Sequence, residues 1–543
     1  MDNFITKIID EDVKSFGENE KVITRFPPEP NGHLHLGHAK AIWLNFEIAK
    51  KYGGECGLRF DDTNPNAMYP VYEESIKGNI DWLGYKSSRI THTSDHFKVL
   101  YQIAHSLISK GLAYVCDLSI EELRANRGGL NGGIESPNRN RTPEENSLLF
   151  FKMKQGEFKT GSKTLRAKID MNSPNFHMRD PVLYRIIEEA HPRTGNEWNI
   201  YPSYDYSHPL CDMLEGITHS LCTLEFEEHR PFYDWLLDNV DLPGRRPKQI
   251  EFARLEVAHM TMSKRKIEKL IEENNTVMDW DDPRLSTISG LINRGYTPDS
   301  IKKFCEKVGI AKFKGIVTPD KLEHEIRDEL NKTARRVMAV FDPLEVRIWG
   351  YKESPRGDGS FVPSPHAETS FEREVEIENN PEDLSAGKRK VKFLKRIYID
   401  RSDFAWEPPP KWKRLKPGGT IRLKGAAIIK CIDVNRINGK ITSLICTYEG
   451  DSSGKAKGTI NWVSADLAED VEVTKLKPLF KDAECEEFDD DSYEIVEAKI
   501  EPIELEYEER VQFMRNGYYI YNNKKFLEIV PLKDSWVKIN KEK

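Results

Sequence analysis

The rhythm of apolar positions changes along the chain, and each change marks a part. Near the N-terminus VITRFP is short and β-branched. A Pro/Gly-punctuated loop then leads into an apolar-periodic stretch (Ile42, Leu44, Phe46, Ile48), and CGLRFDD is a short apolar run ending in carboxylates. Residues 21–60 therefore read strand, loop, helix, strand, a βαβ unit and hence a parallel sheet. Phe97, Leu100, Ile103 and Leu107 predict a helix within 95–115. Residues 116–200 are polar and turn-rich, contain GGLNGGIESPNRNR, and read as an insertion splitting the nucleotide fold; βα character returns over 200–265. After Lys266 helical segments are expected around 266–273, 286–293 and 298–308, separated by DWDDP and GYTPDS. Thr297-Pro298-Asp299-Ser300 is a helix start signal, and a long periodic stretch covers 319–341. Beyond Phe341-Asp342-Pro343, short alternating segments (LEVRIWGY, KVKFLKRIYID, TIRLKGAAIIKCIDV, KITSLICTYEG, GTINWVSA) broken by Gly, Pro and Asn read as all-β, barrel or sandwich. No internal repeat is visible.

Composition adds limits. With 543 residues, 38% of them hydrophobic, the chain should hold several domains of about 100–200 residues each. It has no apolar run of about 18 residues, so no transmembrane helix and no membrane partner are expected. The N-terminus is acidic and lacks a signal-peptide pattern. Eight cysteines occur without a C-x-x-C, which argues against a zinc ribbon and a disulfide framework. A reducing cytoplasm is the natural compartment, and no structural metal is expected.

The net charge of −8 is unevenly spread. Lys388 to Lys424 holds 13 Lys/Arg against 3 Asp/Glu, a local +10, whereas Asp482 to Glu509 holds 14 Asp/Glu against 1 Lys, a local −13. A basic binding face with an acidic block elsewhere gives such an asymmetry, and so do two solvated loops.

The chemistry concentrates in two segments. RFPPEPNGHLHLGH, Arg25 to His38, is a loop running into a helix start, where backbone N–H groups and a positive dipole end suit phosphate. Met262 to Lys266, MSKRK, supplies a distant lysine able to clamp the far side of the same phosphates. No G-x-x-x-x-G-K-[ST] lies near either, so a nucleotide site without a Walker loop is indicated. Asp61 and Arg25 fall at strand ends, where open α/β sheets bind ligands.

HLGH resembles the HIGH signature of the class I aminoacyl-tRNA synthetases, and Thr261-Met262-Ser263-Lys264-Arg265 resembles their KMSKS signature. FPPEPNG, LRFDDTNP, RDPVLYRI, YPSYDYSH and LEGITHSLCTLEF resemble the glutaminyl and glutamyl branch, over a span from about residue 20 to the C-terminus. The resemblance implies a multidomain α/β plus all-β chain. Its parts would be an N-terminal extension (1–20), a split Rossmann-like catalytic fold (21–115 and 201–265) and an acceptor-stem-binding insertion (116–200). A helical connector (266–340) and two anticodon-binding β-barrels (341–543) would follow.

The reaction implied is ATP-dependent activation of an amino acid, with Mg2+, and transfer to the tRNA terminal ribose. His35, His38 and Lys264 would stabilise phosphate charge as the catalytic residues. ATP would be held by Glu29, Pro30, Asn31, His35, Leu36, Gly37, His38, Ala39, Lys40, Ala41, Thr223, Arg254, Leu255, Met262, Ser263 and Lys264. Gly37, lacking a side chain, would let adenine lie against the backbone. Arg25, Asp61, Tyr204 and Cys222 would line the amino-acid pocket, Asp61 taking the ammonium group. Leu130 would wedge the first acceptor base pair, and Glu228 stands where an acceptor-contacting Asp is usual. Arg336, Lys413, Arg414, Arg422 and Gln512 match anticodon-reading positions. No metal ligands are assigned. Residues 365–388 and the acidic block match nothing functional.

Glutamine against glutamate turns on Cys222. The glutamyl branch tends to carry Arg there, and cysteine cannot neutralise a buried carboxylate. The reading is therefore a monomeric ligase for glutamine and its tRNA, with a glutamyl-tRNA synthetase or a non-catalytic tRNA-binding paralogue as alternatives.

Overall fold

The structure is a computed structural model that describes residues 2–67, 70–129, 132–273, 277–349 and 372–533. Strands Ile23–Phe26, Glu55–Phe60 and Ile90–His92 form a parallel sheet, with helix Leu36–Lys51 crossing between the first two. Strands His219–Thr223 and Lys248–Phe252 form a second parallel pair. The Thr218 backbone N–H donates to the Ile23 carbonyl at 2.9 Å, which seats this pair beside the first strand. The predicted βαβ unit is thus present. Its helix buries Leu36, Ile42, Leu44 and Ile48 completely, and an element apolar on most sides is one enclosed by its neighbours.

Between the two halves lies an antiparallel sheet of strands Ala113–Cys116, Thr164–Ala167, Val182–Ile186 and Ile200–Pro202. Val115, Phe150, Leu165, Leu183 and Ile200 share one core with Leu100, Leu107, Tyr206 and Leu210 of the flanking helices. The insertion is therefore anchored to the catalytic fold through shared apolar packing.

Helices Lys264–Glu273, Ile288–Asn293, Pro298–Val308 and Pro319–Thr333 follow. The Thr297/Ser300 start signal is a capping box, with the Ser300 N–H donating to Thr297 Oγ1 at 3.2 Å. The periodic stretch predicted over 319–341 ends early, at Thr333. Arg335–Val337 instead pairs in parallel with Arg510–Phe513, and Val337 and Ala339 enter the core of the last sheet. Burial in a sheet outweighs the helical rhythm there.

The C-terminal part holds two seven-stranded, barrel-like sheets. One is built from strands between Pro343 and Ser464 around Trp462, Ile421 and Phe393. The other combines Arg335–Val337 and Ala339–Val340 with strands from Glu469 to Pro531, so the chain leaves this sheet and returns to it. Hairpin Glu372–Glu378/Lys388–Leu394 sets Lys390 against Glu374 and Lys392 against Glu372 at 3.2 and 2.7 Å. Part of the basic run is thus neutralised locally. These exposed pairs contribute about 0–1 kcal/mol each.

Candidate active site

The phosphate-facing corner is built from the helix start. His35 is the N-cap of helix Leu36–Lys51; its Nδ1 accepts from the Gly37 N–H, and His38 Nδ1 accepts from the His35 N–H, both at 3.1 Å. Two backbone donors thereby fix both tautomers, leaving each neutral ring an Nε2–H to give. Burial pushes His38 down to about 4. Burial, helped by His38, pushes His35 well below the usual histidine range. The rings lie 3.8 Å apart. Both are therefore uncharged donors at neutral pH, and the positive charge of the corner comes from Lys264.

Lys264 opens helix Lys264–Glu273, and its ammonium donates to the Asn31 carbonyl. A Cβ on Gly32 would sit 2.9 Å from Lys264 Cε, so the glycine makes room for the lysine stem. The loop is pinned from behind: Leu36 N–H donates to the Ser286 carbonyl, Ile288 N–H to the Leu34 carbonyl, and Ser286 Oγ to the Thr261 carbonyl. A Cβ on Gly37 would lie 2.8 Å from His35 Cε1 and 4.0 Å from the Leu255 carbonyl. Gly37 and the Leu255 backbone thus face one another across a narrow gap, while the Leu255 side chain is core.

Other expected nucleotide positions divide. Thr223 Oγ1 donates to Glu225, which takes Arg254 at 2.7 Å, and Arg254 also reaches Glu256 at 2.6 Å. Glu29 and Ser263 are exposed and Asn31 and Met262 half-buried, and Lys264 and Arg185 act electrostatically on Glu29. Pro30, Leu36 and Ala39 are buried, and Ala41 is half-buried on the helix. Lys40 departs from the expectation. It is buried, and its ammonium donates to the Ala253 carbonyl at 3.3 Å, tying the helix to the last parallel strand.

The pocket expected to take the amino acid has a charged floor and a neutral wall. Asp61 follows strand Glu55–Phe60 directly, and its Oδ1 is buried with no hydrogen-bond partner. Burial pushes its carboxyl up to about 6. A buried carboxylate oxygen left unmatched in this way suits an incoming ammonium group. Tyr204 starts helix Tyr204–Leu214 and stacks on His208 with ring centroids 4.9 Å apart.

Arg25, expected in the pocket lining, lies completely buried in the floor. It donates to Asp212 (3.0 Å), the Leu221 carbonyl (3.0 Å), Ser220 Oγ (2.8 Å) and His208 Nε2 (2.7 Å). Arg59 joins the network through Asp212 at 2.8 Å and Glu215 at 3.0 Å. Burial alone would raise the Asp212 carboxyl, but Arg25 and Arg59 hold it well below the usual range. Removing Asp212 would leave the buried Arg25 guanidinium without a carboxylate and Arg59 with Glu215 alone, at a cost of about 3–5 kcal/mol.

Cys222 is the register partner of Glu251 on adjacent parallel strands. Burial raises its thiol pKa, so it is neutral. Arg230, the other guanidinium close to it, is taken by Glu251 at 3.1 Å, and Glu251 also accepts from Gln249 at 3.0 Å. Both cations beside Cys222 are therefore matched by carboxylates of the chain itself.

Glu251, Arg230 and Arg185 were not legible as site residues from sequence. The available signal was the alternation in RDPVLYRI: Tyr184 enters the core while Arg185 faces Asp61 and Glu29.

Of the acceptor-stem residues, Leu130 lies outside the described residues. Glu228 is exposed, and its carbonyl accepts from Asn175 Nδ2 at 2.7 Å. Among the anticodon positions, Lys413 and Arg414 are exposed; Arg414 donates to the Ser402 carbonyl at 2.9 Å and pairs with buried Asp403 at 3.2 Å. Arg422 holds a turn, donating to the carbonyls of Ser452 and Gly454 at 2.9 and 2.6 Å. Arg336 and Gln512 are register partners and both buried. The Arg336 guanidinium is committed to Ala334 and Asn331, which departs from the anticodon-reading role expected of it.

The start of the acidic block, with Leu479 and Phe480 just ahead of it, packs on the segment that follows Lys264. Leu479, Phe480 and Cys485 share a core with Ile267, Val277 and Leu285. Lys266 donates to the Cys485 carbonyl at 3.3 Å and pairs with Glu486 at 2.6 Å.

Residues 21–332 match the model of the catalytic domain of the tRNA synthetases class I (E and Q), and residues 334–449 and 459–522 match two anticodon-binding domain models of the same group. The glutamine–tRNA ligase of Clostridium kluyveri is 47% identical over 98% of this chain and 98% of its own. That of Clostridium perfringens is 46% identical with the same coverage, and that of Rhodopirellula baltica is 46% identical over 99% of this chain and 90% of its own.

Proposed function

This chain belongs to the class I tRNA synthetases (E and Q), and on that premise we infer that it is an ATP-dependent ligase joining L-glutamine to its tRNA. The observation that carries the choice of glutamine is the neutral wall at Cys222. Arg25 is matched by Asp212 and Arg230 by Glu251, so a γ-carboxylate entering there would find no unmatched cation among these residues. Leaving such a charge buried costs several kcal/mol, whereas an amide needs only hydrogen bonds.

The residues supply positioning and charge. Asp61 takes the substrate ammonium, which sets the carboxylate toward the α-phosphate of ATP. Attack forms the acyl–phosphate bond and releases pyrophosphate. The Nε2–H groups of His35 and His38 and the start of their helix donate to phosphate oxygens, and Lys264 meets the charge that grows on the leaving pyrophosphate. The terminal ribose hydroxyl of tRNA then attacks the mixed anhydride and AMP leaves; the resemblance implies the 2′-hydroxyl. The clamp consists of N–H and ammonium donors, which suit phosphate oxygens rather than a hard cation, so Mg2+ belongs with the ATP phosphates.

Lys413, Arg414 and Glu228 are exposed and support the tRNA-facing roles. Arg422, Arg336 and Gln512 support them by holding the surfaces in shape. The six segments expected from sequence serve as the proposed domains, except that 335–340 goes with the barrel-like part rather than the helical connector. A monomer is proposed, because one chain supplies the clamp, the pocket and the barrel-like sheets. The cytoplasm is proposed as its place, where tRNA is charged and the eight cysteines, all thiols here, stay reduced.

The test is aminoacylation of total tRNA with labelled glutamine against labelled glutamate. Charging with glutamine alone is expected; preferential charging with glutamate overturns the reading.

A further inference from the structure

We propose that His177, Asp205 and His229 bind one divalent transition-metal ion of the zinc class, pinning the inserted sheet to the catalytic fold. The three residues come from separate segments, which is why no ligand spacing is visible in the sequence. His177 lies in the short turn Phe176–Met178 of the insertion, Asp205 in the first turn of helix Tyr204–Leu214, and His229 just ahead of helix Arg230–Asn239.

One ligand atom of each residue lies within 4.8 Å of those of the other two. The imidazole rings of His177 and His229 face each other with centroids 3.6 Å apart and planes tilted by 33°. His229 Nδ1 stands 2.6 Å from Asp205 Oδ1. All three side chains are half-buried, so solvent reaches one side. Metal–ligand bonds of about 2.1 Å at a tetrahedral angle need donors about 3.4 Å apart. To reach that spacing the His229–Asp205 pair, at 2.6 Å, must open and the longer separations, up to 4.8 Å, must close; water would take the fourth position, as in three-ligand zinc sites.

The donor set decides the ion. Two imidazole nitrogens and one carboxylate oxygen suit zinc, cobalt, nickel or copper, whereas magnesium and calcium prefer oxygen throughout. The Asp205–His229 contact alone is an ordinary charge-assisted hydrogen bond. The addition of His177 from another segment makes a three-donor set that spans the seam. The same seam carries the Asn175–Glu228 hydrogen bond and adjoins Tyr204, so an ion here stiffens ground between the amino-acid pocket and the acceptor-facing surface.

The test uses the full chain, freed of metal by chelation. Co2+ is titrated and followed by its visible d–d absorption. The expected result is one equivalent bound, without a thiolate-to-cobalt charge-transfer band, displaced by Zn2+, and with a Zn2+-dependent rise in Tm. His177→Asn and His229→Asn should each abolish the band and the Tm response while keeping the circular dichroism spectrum. Should His229→Asn fail to fold, His177→Asn, in a short surface turn, carries the test. Absence of a d–d band overturns the proposal. So does a band that persists in the variants, or one with thiolate character, which would assign the ion to a cysteine.

Discussion

The Lys264 ammonium donates to the backbone carbonyl of Asn31, so the two segments proposed to handle phosphate meet although 233 positions separate them in the chain. When phosphate arrives the lysine has a neutral carbonyl and a long, partly exposed pair with Glu268 at 3.7 Å to give up, and a stronger charge to gain. Lys264→Ala is expected to lower the rate of ATP–pyrophosphate exchange by about 10²–10³-fold, the range for loss of one donor to transition-state charge. ATP affinity should change far less. Gly32→Ala, whose methyl meets the flexible lysine stem at 2.9 Å, should give a smaller loss of the same kind. An equal loss in ground-state ATP binding, read by equilibrium titration, contradicts this role.

With the proposed role at the substrate ammonium, Asp61 should set a pH limit on glutamine binding. Its carboxyl is raised to about 6, chiefly by burial and partly by Asp62, against the pull of Arg59. Only the ionised form attracts the substrate ammonium. Below pH 6, kcat/KM for glutamine should therefore fall by about tenfold per pH unit, since that parameter reports the free enzyme. The stability effect has the opposite sign. A carboxyl raised on folding destabilises the fold where it is ionised, so its penalty is relieved as pH falls through 6 toward the unfolded value. Asp61→Asn should bind glutamine weakly and lose this pH step. A step that persists in the variant belongs to another group.

The acidic block bears on the lysine loop through packing more than through charge. Lys266 and Glu486 are both substantially exposed, and such pairs are worth about 0–1 kcal/mol. Phe480 is 4% exposed in the core shared with Ile267 and Leu285, and truncating a buried Phe costs about 3–5 kcal/mol. Phe480→Ala should slow ATP–pyrophosphate exchange and increase hydrogen exchange over residues 264–273, while Lys266→Ala leaves both nearly unchanged. The reverse order of effects would mean that the ion pair, not the packing, holds the loop.

The legible and illegible parts of the sequence differ in how far their causes reach. HLGH could be read because a helix start, its cap and its phosphate donors all lie within one turn. The capping box at Thr297 and Ser300 could be read for the same reason. Arg25 could be placed near the pocket but not in its floor, because that depends on Asp212, Ser220 and His208 arriving from other segments. The end of the 319–341 stretch was illegible because the partner strand, Arg510–Phe513, lies far along the chain. The acidic block reads as solvated charge because its anchor, Cys485, and Phe480 just ahead of it find their partners only in the helical segment.

Cys222 gives the sharpest test of the amino-acid assignment, and the structure changes its expected outcome. Cys222→Arg would add a third guanidinium beside Arg25 and Arg230. Arg25 cannot yield its carboxylate, since Asp212 also serves Arg59. Glu251 can: it is the register partner of residue 222, and its present partner Arg230 is partly exposed and able to turn to solvent. The new arginine should therefore be captured by Glu251, crowd the side-chain end of the pocket, and lower kcat/KM for glutamine by about tenfold or more, a loss of about 1.4 kcal/mol or more. Glutamate should gain little in the single variant, because the added charge is already matched. In Cys222→Arg/Glu251→Gln the charge is released, and the glutamate-to-glutamine ratio of kcat/KM should rise above that of the single variant. The measurement is that ratio for wild type, both single variants and the double variant with the same tRNA, with Tm recorded for each. A single variant that already favours glutamate would show that Glu251 does not hold the pocket neutral. Ratios unmoved in all variants would show that position 222 does not sense the substrate side chain.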